Sequence, residues 1–93
     1  MANSASAVVT VSNKLGLHAR PATLFASTAA NASAAITVRR CDQDETVDGK
    51  SIMQMMMLAA TKGTKIEIVA TGVDAQEAID ALTKLVDSGF REE

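Results

Sequence analysis

The amino-acid sequence predicts an α+β fold, an open-faced two-layer sandwich in which three helices cover one face of a four-stranded antiparallel sheet. Short segments with β-branched residues at alternate positions predict strands, and longer segments with apolar residues three and four apart predict helices. These segments follow one another in the order β-α-β-β-α-β-α, with hairpin-like connections that favour an antiparallel sheet. A chain of 93 residues with 2% aromatic content predicts one domain over residues 1–93 and an aliphatic core.

The N-terminal segment is predicted to form a strand followed by a loop. Residues 1–6 are small and polar, and we expect them to be a frayed tail. Residues 7–11 are rich in valine, and their partial alternation predicts a first strand with Val9 and Val11 facing inward. A loop over residues 13–17 follows.

An alanine-rich segment over about residues 19–30 is predicted to be the first helix. Its buried stripe is expected to consist of Ala22, Phe25, Ala26 and Ala29. Pro21 is compatible with this helix because it lies in the first turn, where its missing N–H breaks no hydrogen bond. Asn31 is expected to end the helix in the left-handed conformation.

Three further strands are predicted over residues 35–40, 45–47 and 64–70. A polar turn over residues 41–44 connects the first two of these strands, and a second over residues 48–50 leads from the strand 45–47 to the next helix. The residues expected to face inward are Ile36, Val38, Ile66, Ile68 and Ala70.

Two more helices complete the predicted fold. Ser51 is expected to cap a helix over about residues 52–61 that Gly63 ends, and Asp74 with Glu77 resembles a capping box for the last helix. The core positions of the second helix are expected to be Ile52, Met55, Leu58 and Ala59. Those of the last helix are expected to be Ala78, Ile79, Leu82, Leu85 and Val86.

The composition excludes several classes of function. A net charge of −2 and the lack of Trp and Tyr argue against a nucleic-acid partner, because neither a basic surface nor a stacking platform is available. The lone Cys41 fits a reducing compartment. No signal peptide and no apolar run long enough for membrane insertion is present. We therefore expect a cytoplasmic location.

The single histidine, His18, lies directly before the first predicted helix. A phosphoryl group on its ring would face the positive end of the helix dipole and the N–H groups of Ala19, Arg20 and Ala22. The guanidinium of Arg20 would add a further cation. No second histidine, cysteine cluster or carboxylate pair lies nearby in sequence, so neither a metal site nor a catalytic triad is predicted. A helix cap or an ordinary surface histidine is the alternative.

Three segments together resemble a known family. They are residues 13–22 (NKLGLHARPA), 49–53 (GKSIM) and 58–64 (LAATKGT). They resemble HPr, the histidine-containing phosphocarrier of the bacterial phosphoenolpyruvate-dependent phosphotransferase system. The resemblance extends over roughly residues 7–90.

The resemblance implies that His18 accepts a phosphoryl group on Nδ1 from enzyme I and passes it to enzyme IIA domains for sugar uptake. Arg20 matches the arginine of the family that neighbours the phosphate. The resemblance implies a stoichiometric carrier without a cofactor rather than an enzyme. A nitrogen-branch regulatory carrier is the alternative, because the segment around Leu15 and the C-terminal residues look more like that branch.

The same resemblance marks Ser51 as a regulatory phosphosite for a dedicated serine kinase/phosphorylase, in addition to its role as a helix cap. A module that acts only through this serine is the alternative from a different class. The resemblance also favours Leu24, Met53 and Met57 as a docking surface for partners, with loose core packing as the alternative for the methionines. We expect a monomer.

Overall fold

The computed structural model describes residues 3–91 and contains the predicted elements in the predicted order. In chain order they are β1 (Ser4–Thr10), α1 (Ala19–Ala30), β2 (Ala35–Arg40), β3 (Thr46–Asp48), α2 (Ile52–Met57), β4 (Lys65–Thr71), α3 (Ala75–Asp87) and a final 3₁₀ turn (Gly89–Arg91). The third and fourth strands are each displaced by one residue from their predicted positions.

The four strands form one antiparallel sheet in the order β1-β4-β2-β3. Ser4 pairs with Thr71 at one end of β1, and Thr10 pairs with Lys65 at the other end. The prediction of a frayed tail over residues 1–6 is therefore wrong for Ser4 to Ser6, because pairing with β4 stabilises small polar residues that have little strand propensity of their own. The first two residues of that tail lie outside the described part of the chain.

The core lies between the helices and one face of the sheet. The strand residues with relative exposure of 6% or less are all predicted ones: Val9, Ile36, Val38, Ile66, Ile68 and Ala70. Val11 is buried as predicted, but it lies just beyond the end of β1. Helix α3 packs against β1 and β4, and α1 packs against α2 and α3. Alternation along the strands therefore predicted correctly which face of the sheet the helices cover.

Helix α1 has the predicted bounds and the predicted buried stripe. Ala22, Phe25, Ala26 and Ala29 are all buried, as is Pro21. The predicted left-handed conformation of Asn31 is wrong, since this residue has φ −72° and ψ −16°. Its N–H donates to the carbonyl of Thr28 and the N–H of Ala32 donates to the carbonyl of Ala29, so the chain leaves the helix through a further right-handed turn.

Helix α2 is shorter than predicted. It ends at Met57, and Ala59 then adopts a left-handed conformation with φ 55°. Gly63 therefore does not end this helix. Met55 and Leu58 are buried as predicted, but Ile52 and Ala59 are exposed, because six residues bury only one narrow stripe.

Helix α3 buries the predicted residues, but the predicted capping box does not form. The carboxylate of Asp74 accepts hydrogen bonds from the N–H groups of Ser33 and Ala34, at 2.8 Å each, and makes no capping bond to its own helix. Beyond the helix, Phe90 is 1% exposed and anchors the final turn. No helix within residues 3–91 has the length and hydropathy needed to cross a membrane.

Candidate functional site

His18 occupies the N-cap position of α1, with extended backbone angles of φ −77° and ψ −171°. Its carbonyl accepts a hydrogen bond from the N–H of Ala22 at 3.0 Å, and its own N–H donates to the carbonyl of Gly16 at 3.0 Å. The half-buried side chain makes no capping hydrogen bond to the helix. Two backbone hydrogen bonds thus place His18 at the helix N-terminus.

Of the three N–H groups expected to face a phosphoryl group on His18, those of Ala19, Arg20 and Ala22, only the first two are available. The expectation was wrong for Ala22, because its N–H is already used in the first hydrogen bond of the helix. Ala19 and Arg20 lie in the first turn, where N–H groups have no acceptor within the helix. The side chain of Arg20 is exposed. An anion at this position would therefore meet two backbone donors and one guanidinium.

The loop that leads to His18 is fixed by contacts with the segment after α2. Gly16 has φ +69°, and a β carbon at this position would lie 2.4 Å from the carbonyl oxygen of Ala60. The next residue, Leu17, is buried and donates its N–H to the same carbonyl at 2.9 Å. On the other side, Nδ2 of the buried Asn13 donates to the carbonyl of Gly16 at 2.7 Å. The backbone immediately before the imidazole therefore has little freedom.

His18 and Arg20 line one open cleft of about 870 Å³. Among the described residues, three more cations line it, namely Lys14, Lys62 and Arg91. One carboxylate, that of Asp87, lies in the same cleft. Four cations against one carboxylate give the cleft a positive potential that attracts anionic ligands.

Sequence reasoning missed Asn13, Lys62 and Arg91 as parts of this site. Asn13 lies in the segment 13–22, but only its burial and its hydrogen bond to the Gly16 carbonyl show that it shapes the loop. Lys62 lies in the segment 58–64 and Arg91 near the end of the chain, and both reach the cleft only through the tertiary fold. No local signal in the sequence could have identified them.

Ser51 caps α2 as predicted. Its Oγ accepts a hydrogen bond from the N–H of Gln54 at 3.1 Å, and its own N–H donates to the carbonyl of Asp48 at 3.1 Å. The neighbouring Lys50 is turned away, since its Nζ donates to the carbonyl of Ala32 at 2.8 Å. A phosphoryl group on Ser51 would replace a neutral cap at this helix end with a dianion.

The three residues predicted to form a docking surface differ in exposure. Met53 and Met57 are each 72% exposed, whereas Leu24 is half-buried and packs partly against the core. Because Ala60, just beyond α2, is hydrogen-bonded to Leu17, the C-terminal end of α2 lies next to the His18 loop. Met57 is the last residue of α2, and Met53 lies about one turn earlier on the helix.

The described residues contain no group of three or more His, Cys, Asp or Glu side chains placed to hold a metal ion. The described lining of the cleft supplies one imidazole, four cations and one carboxylate.

Comparison with known proteins places these features in a family. The family model described as "PTS HPr component phosphorylation site" matches residues 5–88. Phosphocarrier protein HPr of Neisseria meningitidis is 46% identical over 84 residues, which cover 90% of this chain and 92% of that protein. Phosphocarrier protein NPr of Proteus mirabilis is 38% identical over 85 residues, which cover 91% of this chain and 93% of that protein.

A longer relative and a solved structure extend the comparison. This chain is 37% identical to the multiphosphoryl transfer protein of Haemophilus influenzae over 92 residues, but it spans only 18% of that protein. The crystal structure of HPr-C-His from Thermoanaerobacter tengcongensis superposes with a TM-score of 0.89 at 42% identity, covering 96% of this chain and 98% of that one. The open-faced fold with three helices is the fold of that protein.

Proposed function

The chain belongs to the HPr family of phosphocarriers of the phosphotransferase system, and we propose that it carries the phosphoryl group on Nδ1 of His18. The observation that carries this proposal is the position of the chain's one histidine at the start of α1, in a cleft lined by Arg20. A phosphoryl group on the ring faces the positive end of the helix dipole and the N–H groups of the first turn. Both interactions favour the phosphorylated form.

The proposed transfer exchanges one P–N bond for another. The lone pair of Nδ1 attacks the phosphorus of a phosphohistidine on enzyme I, and the donor imidazole leaves with the electron pair of the broken bond. His18 keeps its proton on Nε2, so no proton has to move. Arg20 neutralises charge on the transferring oxygens. The step needs alignment and charge stabilisation rather than an acid–base catalyst, which fits a stoichiometric carrier rather than an enzyme.

The proposed partners are enzyme I as donor and enzyme IIA domains as acceptors. Met53 and Met57 supply exposed, unbranched side chains on α2, the helix that precedes the turn bonded to Leu17. Such side chains adapt to more than one partner surface. Leu24 contributes its exposed portion only. The higher identity to HPr than to NPr favours the sugar branch. Transfer to a nitrogen-branch acceptor is the second candidate.

Ser51 is proposed as a regulatory phosphosite for a serine kinase/phosphorylase. Ser51 is half-buried and caps the start of α2, the helix that also carries Met53 and Met57. A dianion there is compatible with the N-terminal end of a helix but opposes an acidic partner surface. The one-domain organisation over residues 1–93, the monomeric state and the cytoplasmic location stay predictions.

The experiment that tests the site is incubation with phosphoenolpyruvate and enzyme I, followed by intact mass measurement before and after mild acid. We expect one acid-labile phosphoryl adduct on the wild-type chain and none on His18→Ala. Thermal unfolding checks that the variant is folded. An acid-labile adduct of equal yield on folded His18→Ala would contradict the assignment of His18.

A competition experiment tests the branch. The phosphorylated chain is mixed with equal amounts of a sugar-branch and a nitrogen-branch acceptor, and the initial rate of transfer to each is measured. Faster transfer to the sugar-branch acceptor is expected. Faster transfer to the nitrogen-branch acceptor would establish the second candidate.

A further inference from the structure

The guanidinium of Arg40, at the end of β2, joins two parts of the fold. Nε and Nη2 donate to the two carboxylate oxygens of Asp42, at 3.1 and 3.0 Å, and Nη1 donates to the carbonyl of Ala59 at 3.1 Å. The hydrogen bond with Asp42 raises the pKa of Arg40 above its usual range. A two-pronged contact of this kind fixes the plane of the guanidinium. Nη1 is thereby directed at the turn that follows α2.

Ala59 is the residue at which that turn is strained. Its φ of 55° lies in the left-handed region, which is unfavourable for a residue with a β carbon. Such a conformation persists only where the surrounding contacts hold it. On one side the N–H of Ala59 donates to the carbonyl of Met56 at 3.1 Å, and on the other side its carbonyl accepts from Arg40.

The next residue, Ala60, connects this turn to the proposed phosphorylation site. It is 3% exposed, and its carbonyl accepts the N–H of Leu17, the residue directly before His18. The direction of the Ala60 carbonyl depends on the backbone angles of Ala59. If Ala59 relaxed to the right-handed region, this carbonyl would turn away from Leu17.

We propose that Arg40 is a positioning residue for phosphoryl transfer, because it holds Ala59 in the conformation that aims the Ala60 carbonyl at Leu17 and so places His18. This inference rests on the proposed function of His18. Arg40 itself touches neither the imidazole nor the phosphoryl group in this mechanism. Its effect passes through the backbone of Ala59, Ala60 and Leu17.

Arg39 offers a matched control on the same strand. Its guanidinium donates to Glu67 at 3.0 Å and to the carbonyls of Gln43, Arg40 and Cys41, at 2.8, 3.2 and 3.4 Å. It has comparable exposure, since the side chains of Arg39 and Arg40 are 29% and 21% exposed. Arg39→Gln and Arg40→Gln therefore remove the same charge, but only Arg40→Gln removes the contact with Ala59.

The first test compares these two variants in two measurements. The rate of phosphoryl acceptance from phosphorylated enzyme I is expected to fall about tenfold for Arg40→Gln, mainly in kcat, and to stay within about twofold for Arg39→Gln. Amide hydrogen exchange of Leu17 is expected to accelerate only in Arg40→Gln. Equal rates and equal Leu17 exchange in the two variants would overturn the proposal.

The second test uses Ala59→Gly, because glycine adopts a φ of 55° without the steric penalty of a β carbon. Added to Arg40→Gln, it is expected to recover most of the lost kcat and the protection of Leu17. A loss that this second substitution leaves unchanged would also contradict the proposal, since the effect would not pass through Ala59.

Failure of this inference is distinguishable from failure of the proposed function. If the wild-type chain accepts no phosphoryl group on His18, the proposed function fails. Leu17 exchange in Arg40→Gln, with and without Ala59→Gly, is measured without enzyme I and decides the role of Arg40 in holding the loop.

Discussion

Gly16 lies against the carbonyl oxygen of Ala60 so closely that a β carbon at Gly16 would be 2.4 Å from that oxygen. The same carbonyl accepts the N–H of Leu17. One backbone carbonyl of the segment after α2 therefore determines how two consecutive residues approach His18. The requirement for glycine comes from this contact as well as from the φ of +69°.

Gly16→Ala is expected to lower the free energy of unfolding by about 2 kcal/mol or more, because the opposing atom is backbone and cannot move aside cheaply. It should also slow phosphoryl acceptance, since relief of the clash displaces the segment before His18. Urea unfolding measures the first effect, and the initial rate with phosphorylated enzyme I measures the second.

Gly63→Ala is the matched control for this substitution. Gly63 has φ +93°, but a β carbon there would meet nothing within 4 Å. We expect the free energy of unfolding to fall by about 1 kcal/mol from backbone strain alone. The rate of phosphoryl acceptance should change little. Equal losses of stability and rate in both variants would show that the contact with Ala60 is unimportant.

The end of α2 shows where sequence reasoning about the fold failed. The bounds of α1 and the inward faces of the strands followed from apolar periodicity, which is a local property. The early end of α2 is followed instead by a left-handed alanine, Ala59, whose carbonyl accepts a hydrogen bond from Arg40, 19 residues away in sequence. An alanine in the sequence gives no signal for a left-handed conformation.

For the candidate site, too, the sequence indicates the local features but not those that depend on contacts between distant segments. His18 and its position at the start of a helix follow from one short segment. Lys62 and Arg91 reach the cleft from separate turns, so their contribution depends on how the sheet and α3 assemble. The N–H of Ala22 is not free for an anion, because it forms the first hydrogen bond of the helix with the carbonyl of His18.

Met57→Gln tests the docking surface, because glutamine keeps the length of the side chain but is polar. We expect the KM for phosphorylated enzyme I to rise about fivefold, corresponding to about 1 kcal/mol of lost apolar contact, with unchanged stability. Val73→Thr is the control, since Val73 is 81% exposed near the end of the sheet where Thr71 pairs with Ala35. A KM that rises equally in both variants would argue against a local docking surface.

Ser51 is tested by three substitutions that separate capping from charge. Ser51→Ala removes the acceptor for the Gln54 N–H and is expected to lose about 1 kcal/mol of stability. Ser51→Asn and Ser51→Asp both retain an acceptor, so the free energy of unfolding of both variants should be close to that of the wild type. Only Ser51→Asp is expected to slow acceptance from enzyme I, by about tenfold, through like-charge repulsion. Equal transfer rates for Ser51→Asp and Ser51→Asn would remove the regulatory role of this site.

Asp74 makes the stability of the fold dependent on pH. The N–H groups of Ser33 and Ala34 donate to its carboxylate, and the bond from Ser33 is the main cause that lowers its pKa in the folded state. Partial burial opposes this effect, and the charge of Lys50 adds to it. Because the folded pKa lies below the unfolded one, the ionised carboxylate stabilises the fold above the ordinary pKa of aspartate, at about pH 4. This contribution is lost as the pH falls through the lowered folded pKa.

Asp74→Asn is therefore expected to lower Tm at pH 7, and the difference from the wild type should shrink between about pH 5 and pH 3. Asp80→Asn serves as the control, since Asp80 lies on the surface of α3 and accepts a bond from the Gln76 side chain. Its Tm should stay close to that of the wild type at pH 7. Thermal unfolding at pH 7, 5 and 3 gives both comparisons. A difference between Asp74→Asn and the wild type that stays constant down to pH 3 would show that the bonds to Ser33 and Ala34 do not depend on ionisation of Asp74.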